Sequence, residues 1–148
     1  MITRIFVPIT GTDESKIATE KAIETAVFLN AKVTAIYVLD KESLAKLQRY
    51  KIFIEEESSV FGDNLRRDAE KYLEYAKRIA SSYHIDIETV LLEGDPFLEI
   101  KNFIKKNPAQ HKFVMIAKVP NSENFIDSFG SLEKKMLRSG LGIMIAGE

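Results

Sequence analysis

Short runs of β-branched and aliphatic residues alternate along the chain with segments of helical periodicity, and this alternation limits the fold more than any other feature. Ile2 to Ile9 reads as a buried strand that stops at Thr10-Gly11-Thr12. From Asp13 to Asn30, Ala18, Ala22, Ala26 and Leu29, flanked by Ile23 and Val27, recur at helical spacing, with Thr12 or Asp13 as the cap and Asn30 as the stop. Lys32 to Leu39 is a second strand. Residues 41–62 predict an irregular helix, because Leu44 and Leu47 suggest a helical turn while Ile52-Phe53-Ile54 is a short apolar run ahead of three glutamates. Leu65 to Tyr83 is a clear helix: Leu65, Ala69, Tyr72, Leu73, Ala76, Ile79, Ala80 and Tyr83 form one stripe and charges fill the other face.

Ile85 to Glu93 predicts a third strand, after which Gly94-Asp95-Pro96 supplies a turn, a cap and a proline at the first helical position. The helix that follows, through Lys106, carries Phe97, Ile100, Phe103 and Ile104 inward. Lys112 to Ala117 is a fourth strand, Lys118 to Gly130 a long polar stretch, Ser131 to Arg138 a short helix ended by Ser139-Gly140, and Leu141 to Ala146 a fifth strand. Such an order implies a doubly wound α/β fold: a parallel sheet with right-handed crossovers and helices on both faces. Alternation leaves the strand order open. Ligands in such sheets bind beyond the carboxyl ends of the strands, where the order reverses, so the candidate loops are Thr10 to Asp13, the segment from Asp40, Gly94 to Pro96, and Lys118 to Ser131.

Composition narrows the chemistry. A chain of 148 residues, 45% of them hydrophobic, suits one domain over residues 1–148. Lys+Arg at 21 against Asp+Glu at 22 gives a net charge of −1, which argues against nucleic acid or an anionic membrane as partner. No cysteine removes disulfides and thiolate chemistry, and the two histidines, His84 and His111, lack a partner at metal or catalytic spacing. No apolar run approaches the ~20 residues of a membrane span, and Met1-Ile-Thr-Arg-Ile-Phe-Val-Pro enters a strand pattern too early for a signal peptide. A cytoplasmic protein is expected. The glutamates Glu55-Glu56-Glu57 point in different directions and read as a solvated face. No Gly-rich motif ends in Lys-Ser or Lys-Thr, and the clustered acids of a response regulator are missing, since Thr10 and Gly94 stand at the relevant strand ends.

Four segments, in order, resemble the universal stress protein family across essentially the whole chain. They are Ile5-Phe-Val-Pro-Ile-Thr-Gly-Thr-Asp-Glu-Ser15, Tyr37-Val38-Leu39-Asp40, Glu93-Gly94-Asp95-Pro96 followed by Glu99-Ile100, and Gly130-Ser-Leu-Glu-Lys-Lys-Met-Leu-Arg138. The resemblance implies a five-stranded sheet of order 3-2-1-4-5, with its crevice between strands one and four. It also implies a dimer through the last strand. ATP-binding members have two glycines after strand four, where backbone N–H groups approach the phosphates, and a later Gly-Ser opening a helix. Here Ala117 and Pro120 occupy the glycine positions, and Thr10 stands where many members have an acid. Proline has no N–H to donate to a phosphate nest. Only Gly130-Ser131 survives.

These readings predict a homodimeric stress-response protein with no cofactor, no catalytic residue and no metal, acting on protein clients that the sequence does not name. The alternative is an adenine nucleotide, ATP or AMP, held by Ile9, Thr10, Val38, Gly130 and Ser131, with Lys118 at the edge. The competing structural readings are plain: Gly130-Ser131 as an ordinary helix start, Lys118 as a solvated lysine, Asp95 as a helix cap. Leu141, Gly142, Ile143, Met144, Ile145 and Ala146 carry no charge or proline. Placed at a sheet edge, they would invite pairing with a second copy.

Overall fold

The computed structural model describes residues 2–40, 55–119, 124–125 and 128–147. Strand β1 (Thr3–Pro8) leads through the Thr10–Thr12 turn into α1 (Asp13–Leu29), followed by β2 (Lys32–Leu39) and α2 (Glu55–Ser82). Then come β3 (Ile87–Glu93), α3 (Pro96–Lys106), β4 (His111–Ala117), α4 (Ser131–Leu137) and β5 (Ile143–Ala146). All pairings are parallel and the order is β3-β2-β1-β4-β5, with helices on both faces, as the resemblance implied.

Local chemistry sets the helix ends. The Thr12 hydroxyl accepts from the Ser15 N–H at 3.2 Å, and Asp95 accepts from the Leu98 N–H at 2.9 Å ahead of Pro96. Asn30 ends α1 in the left-handed region at φ 53°, its N–H and that of Ala31 closing onto Val27 and Ala26 carbonyls. Strand alternation then divides the core into two layers. Ile5, Val7, Val33, Ala35, Met115 and Ala117 pack against Ala18, Ala22 and Ala26 of α1 and against Leu73 and Ala76 of α2. The small alanines let α1 lie close to the sheet. On the opposite face Phe6, Ile36, Val114 and Ile116 meet Ile100 and Ile104 of α3 and Met136 of α4.

Three expectations change. The irregular helix of residues 41–62 is corrected from Glu55 onward, where α2 is already regular; glutamates are good helix formers and extend it upstream of Leu65. Residues 41–54 lie outside the described residues. The third strand starts at Ile87 rather than Ile85, because His84 turns the chain at φ 60°. The fifth starts at Ile143, so Leu141 and Gly142 precede it: Gly140 sits at φ 82°, and the Leu141 N–H is taken by Ser139 Oγ at 3.2 Å. A Cβ on Gly142 would stand 3.0 Å from the Lys112 carbonyl oxygen, so this turn is pressed against β4.

Candidate functional site

At the carboxyl end of the sheet, β1 and β4 diverge into α1 and into the segment before α4. The loop after β1 is tightly specified. Ile9 is buried and extends the pairing with β2 by donating its N–H to the Ile36 carbonyl at 2.8 Å. The Thr10 N–H donates to Ser15 Oγ at 3.0 Å, while its hydroxyl lies 3.0 Å from that of Thr12. Ser15 is buried and donates in turn to the Pro8 carbonyl at 3.4 Å. Gly11 adopts φ 79°, and a Cβ there would sit 2.7 Å from the Tyr72 ring. That ring is held by stacking on Tyr37, with centroids 6.2 Å apart and planes 7° from parallel. Burial, then the neighbouring Tyr72 and Asp68, push the Tyr37 phenol pKa up, so it remains a neutral hydrogen-bonding group.

The crevice itself is a narrow cleft of about 10 Å³, lined by Pro8, Glu14, Ser15, Met115, Ala117 and Glu133. Small-molecule sites usually offer roughly 300–1,000 Å³. Glu133 folds back over the start of α4: a Cβ on Gly130 would lie 2.6 Å from its Oε2. Burial raises the Glu133 carboxyl pKa, its own backbone N–H opposes that shift, and the negative charge of Glu14 adds to it. The N-cap residue Gly130 makes no side-chain cap bond, and the Lys134 N–H closes onto its carbonyl at 3.0 Å. The Glu133 carboxylate therefore stands against the opening of α4, where its charge repels an anion.

The sequence-derived residues fall on both sides of this cleft. Ile9 belongs to the α1 layer and Val38, half-buried, to the α3 layer. Thr10 is half-buried, and Gly130 and Ser131 are exposed. Lys118 is exposed, its ammonium 5.4 Å from the Phe125 ring centroid. Ala117 is buried in the cleft wall, and Pro120 lies outside the described residues. The Val119 N–H meets the Ser128 carbonyl at 2.6 Å, and Phe125 packs edge-on to Phe129 at 5.2 Å. Sequence reasoning missed Glu14, Glu133 and Phe129. The signal for Glu133 was its spacing of three from the helix-opening glycine, where a glutamate often folds back onto the helix start.

Elsewhere, His84 and His111 are exposed. His84 lines a wide, open depression with Lys77, Ser81 and Asp86 at the amino end of β3. Among the described residues no cluster of three or more metal-ligating side chains occurs, and no helix is long and apolar enough to cross a membrane.

Comparison with known proteins gives a consistent answer. The sequence model described as "Universal stress protein family" matches residues 1–111. A universal stress protein of Methanocaldococcus jannaschii is 31% identical over 106 residues, covering 72% of this chain and 59% of that protein. The match thus spans less than two thirds of the relative's length. Among solved structures, universal stress protein UspA from Lactobacillus plantarum superposes with a TM-score of 0.76 at 16% identity, covering 98% of this chain and 97% of that one. The universal stress protein from Archaeoglobus fulgidus in complex with dAMP gives a TM-score of 0.61 at 14% identity, covering 99% and 98%. At such identities the structural likeness speaks for the fold alone.

Proposed function

The chain belongs to the universal stress protein family, and from that premise we propose a cytoplasmic, homodimeric stress-response protein that does not hold ATP through the family's phosphate loop. The observation that carries this reading is the pair of carboxylates, Glu14 and Glu133, lining a cleft of about 10 Å³ at the crevice where the resemblance would put the phosphates. At an effective dielectric of about 20, a phosphate oxygen 5 Å from one carboxylate meets a repulsion of roughly 3 kcal/mol per unit charge. Ala117 and Pro120 provide none of the freedom that glycines give such a loop. Among the described lining residues the one hydroxyl, that of Ser15, is engaged by the Thr10 N–H and the Pro8 carbonyl, so the proposed role is regulatory and non-enzymatic, through protein clients, with neither nucleic acid nor membrane as partner. Isothermal calorimetry with ATP and AMP tests it, after native mass spectrometry of the purified protein. Micromolar ATP affinity that is lost on substituting Gly130 or Ser131 would overturn it.

The dimer reading is supported by β5 standing at one edge of the sheet. Ile145 is 40% exposed there, and Leu141, Ile143 and Met144 are half-exposed beside it. An uncharged edge with free backbone groups favours pairing with a second copy about a two-fold axis, Ala146 and Gly142 included. Sedimentation at micromolar concentration should show twice the chain mass; a clean monomer refutes the pairing.

A second reading is favoured by the dAMP complex of the Archaeoglobus fulgidus relative. An adenine nucleoside or its monophosphate would rest on Ile9, Thr10 and Val38, with Lys118, Gly130 and Ser131 at the phosphate side. AMP binding without ATP binding in the same calorimetry would select it.

A further inference from the structure

The amino end of the sheet carries a row of cations remote from the crevice. Arg4 on β1 lies level with Lys32 on β2 and with Lys112 on β4. Phe6, Ile36 and Val114 lie an even number of residues further along these strands and pack in the α3 layer, so alternation puts all three cations on that face. With strands roughly 4.8 Å apart, the row is about 10 Å long.

One member is anchored: Lys112 Nζ donates to the Ile104 carbonyl at 2.8 Å and to that of Lys105 at 3.4 Å, at the carboxyl end of α3. The others are not neutralised. Arg4 Nη1 donates to Thr34 Oγ1 at 2.8 Å, but its Nε is buried without a partner. Among the described residues, Arg4, Lys32 and Lys112 have no carboxylate at ion-pair distance. Two carboxylates stand on the same face beside the row, Glu88 level with Thr34 and Asp86 one step before β3 and level with Lys32, and neither is at ion-pair distance from any of the three. Lys105 and Lys106, both exposed in the last turn of α3, add positive charge at the same end. Five cations at one end, none of them in an ion pair among the described residues, outnumber the two carboxylates on that face and are matched by a multiply charged oxyanion.

We propose that this row is a binding site for a small oligophosphate, a ligand carrying two or more linked phosphate groups. Two linked phosphates supply the charge and the reach to engage Arg4 and Lys32 together while Lys112 stays on the helix. Half-burial of Arg4 and Lys112 admits a small terminal group and keeps out the broad face of a nucleic acid duplex. The site lies at the opposite end of the strands from the crevice and stands whether or not a nucleotide binds there.

The test uses the full chain with inorganic pyrophosphate, against sodium chloride at equal ionic strength. At ten times the dissociation constant, the unfolding midpoint should rise by about 3–6 °C. Amide shifts should cluster at Thr3 to Ile5, Val33 and Phe113. Lys32→Glu, at an exposed position, should leave the ligand-free midpoint unchanged and weaken pyrophosphate about tenfold. Arg4→Lys, which keeps the charge and loses the fork, should weaken it by a smaller factor. The proposal is overturned by a midpoint rise no greater than that in chloride, by shifts confined to Thr10 to Ser15 and Gly130 to Glu133, or by unaltered affinity in Lys32→Glu.

Discussion

Gly11→Ala tests how the loop after β1 is held. Two costs can be read from the structure. At φ 79° an alanine pays the left-handed penalty, roughly 1–2 kcal/mol. Its Cβ would also stand 2.7 and 2.8 Å from two Tyr72 ring carbons, against an optimum of about 3.5–4.0 Å between carbons. The ring must therefore retreat by close to 1 Å. It cannot do so freely, because it stacks on Tyr37 with planes 7° apart. Losing that stack, or moving off a rotamer, costs roughly 0.5–1.5 kcal/mol. Together the substitution should destabilise by about 2–3 kcal/mol, or about 4–12 °C in midpoint for a chain of this size. Urea unfolding followed by circular dichroism measures it, and Tyr72→Ala completes a double-mutant cycle. With the ring gone, only the backbone penalty remains, so the two substitutions should couple by about 1 kcal/mol. Additivity within about 0.4 kcal/mol would show that the ring is not the obstacle, and a single-mutant cost below about 0.5 kcal/mol would refute both parts of the argument.

Glu133→Gln addresses the crevice carboxylate. Burial raises its folded pKa above the ordinary glutamate value, so Glu133 contributes stability that is complete below that value and is lost as pH rises through the folded pKa. The glutamine variant should therefore exceed wild type in stability at pH 7 and match it near pH 3.5 in urea titrations. Ile145→Lys, at an exposed position of β5, should shift the sedimenting species toward monomer; a dimer that persists unchanged places the interface elsewhere. Asp95→Ala removes the 2.9 Å cap bond to the Leu98 N–H and should cost about 1 kcal/mol in the same unfolding assay.

The sequence carried the alternation of elements because the two periods, 2 and 3.6, are local properties of a few turns or residues. Asp95, Asn30 and Thr12 were legible as caps for the same reason: each satisfies a neighbour within three or four positions. Strand order was not readable from periodicity, since β1 pairs with β4 across three intervening helices, and only the family resemblance supplied it. The start of β5 was misplaced because Leu141-Gly142 has strand composition, while the turn at Gly140 and the Ser139 hydroxyl take up the Leu141 N–H before the ladder begins. Glu14 and Glu133 escaped notice because nothing local joins them. One opens α1 and the other sits in the first turn of α4, and the fold alone brings them to one cleft.

Net charge is silent on placement in the same way. A value of −1 argued against nucleic acid or an anionic membrane, but it is a sum over the whole chain and says nothing of a small anion at one end. At one end of the strands Glu14 and Glu133 face a narrow cleft; at the other, Arg4, Lys32 and Lys112 stand in register. The separation is roughly the length of a strand, about 17–20 Å, or about two Debye lengths at physiological ionic strength. Each end therefore presents its own field to a small ion, screened from the other. An anion approaching this domain meets repulsion where the family's crevice lies and attraction at the amino end. Raising salt should accordingly weaken pyrophosphate at the Arg4 row while easing the repulsion at the cleft, so the two sites are predicted to respond to ionic strength with opposite sign.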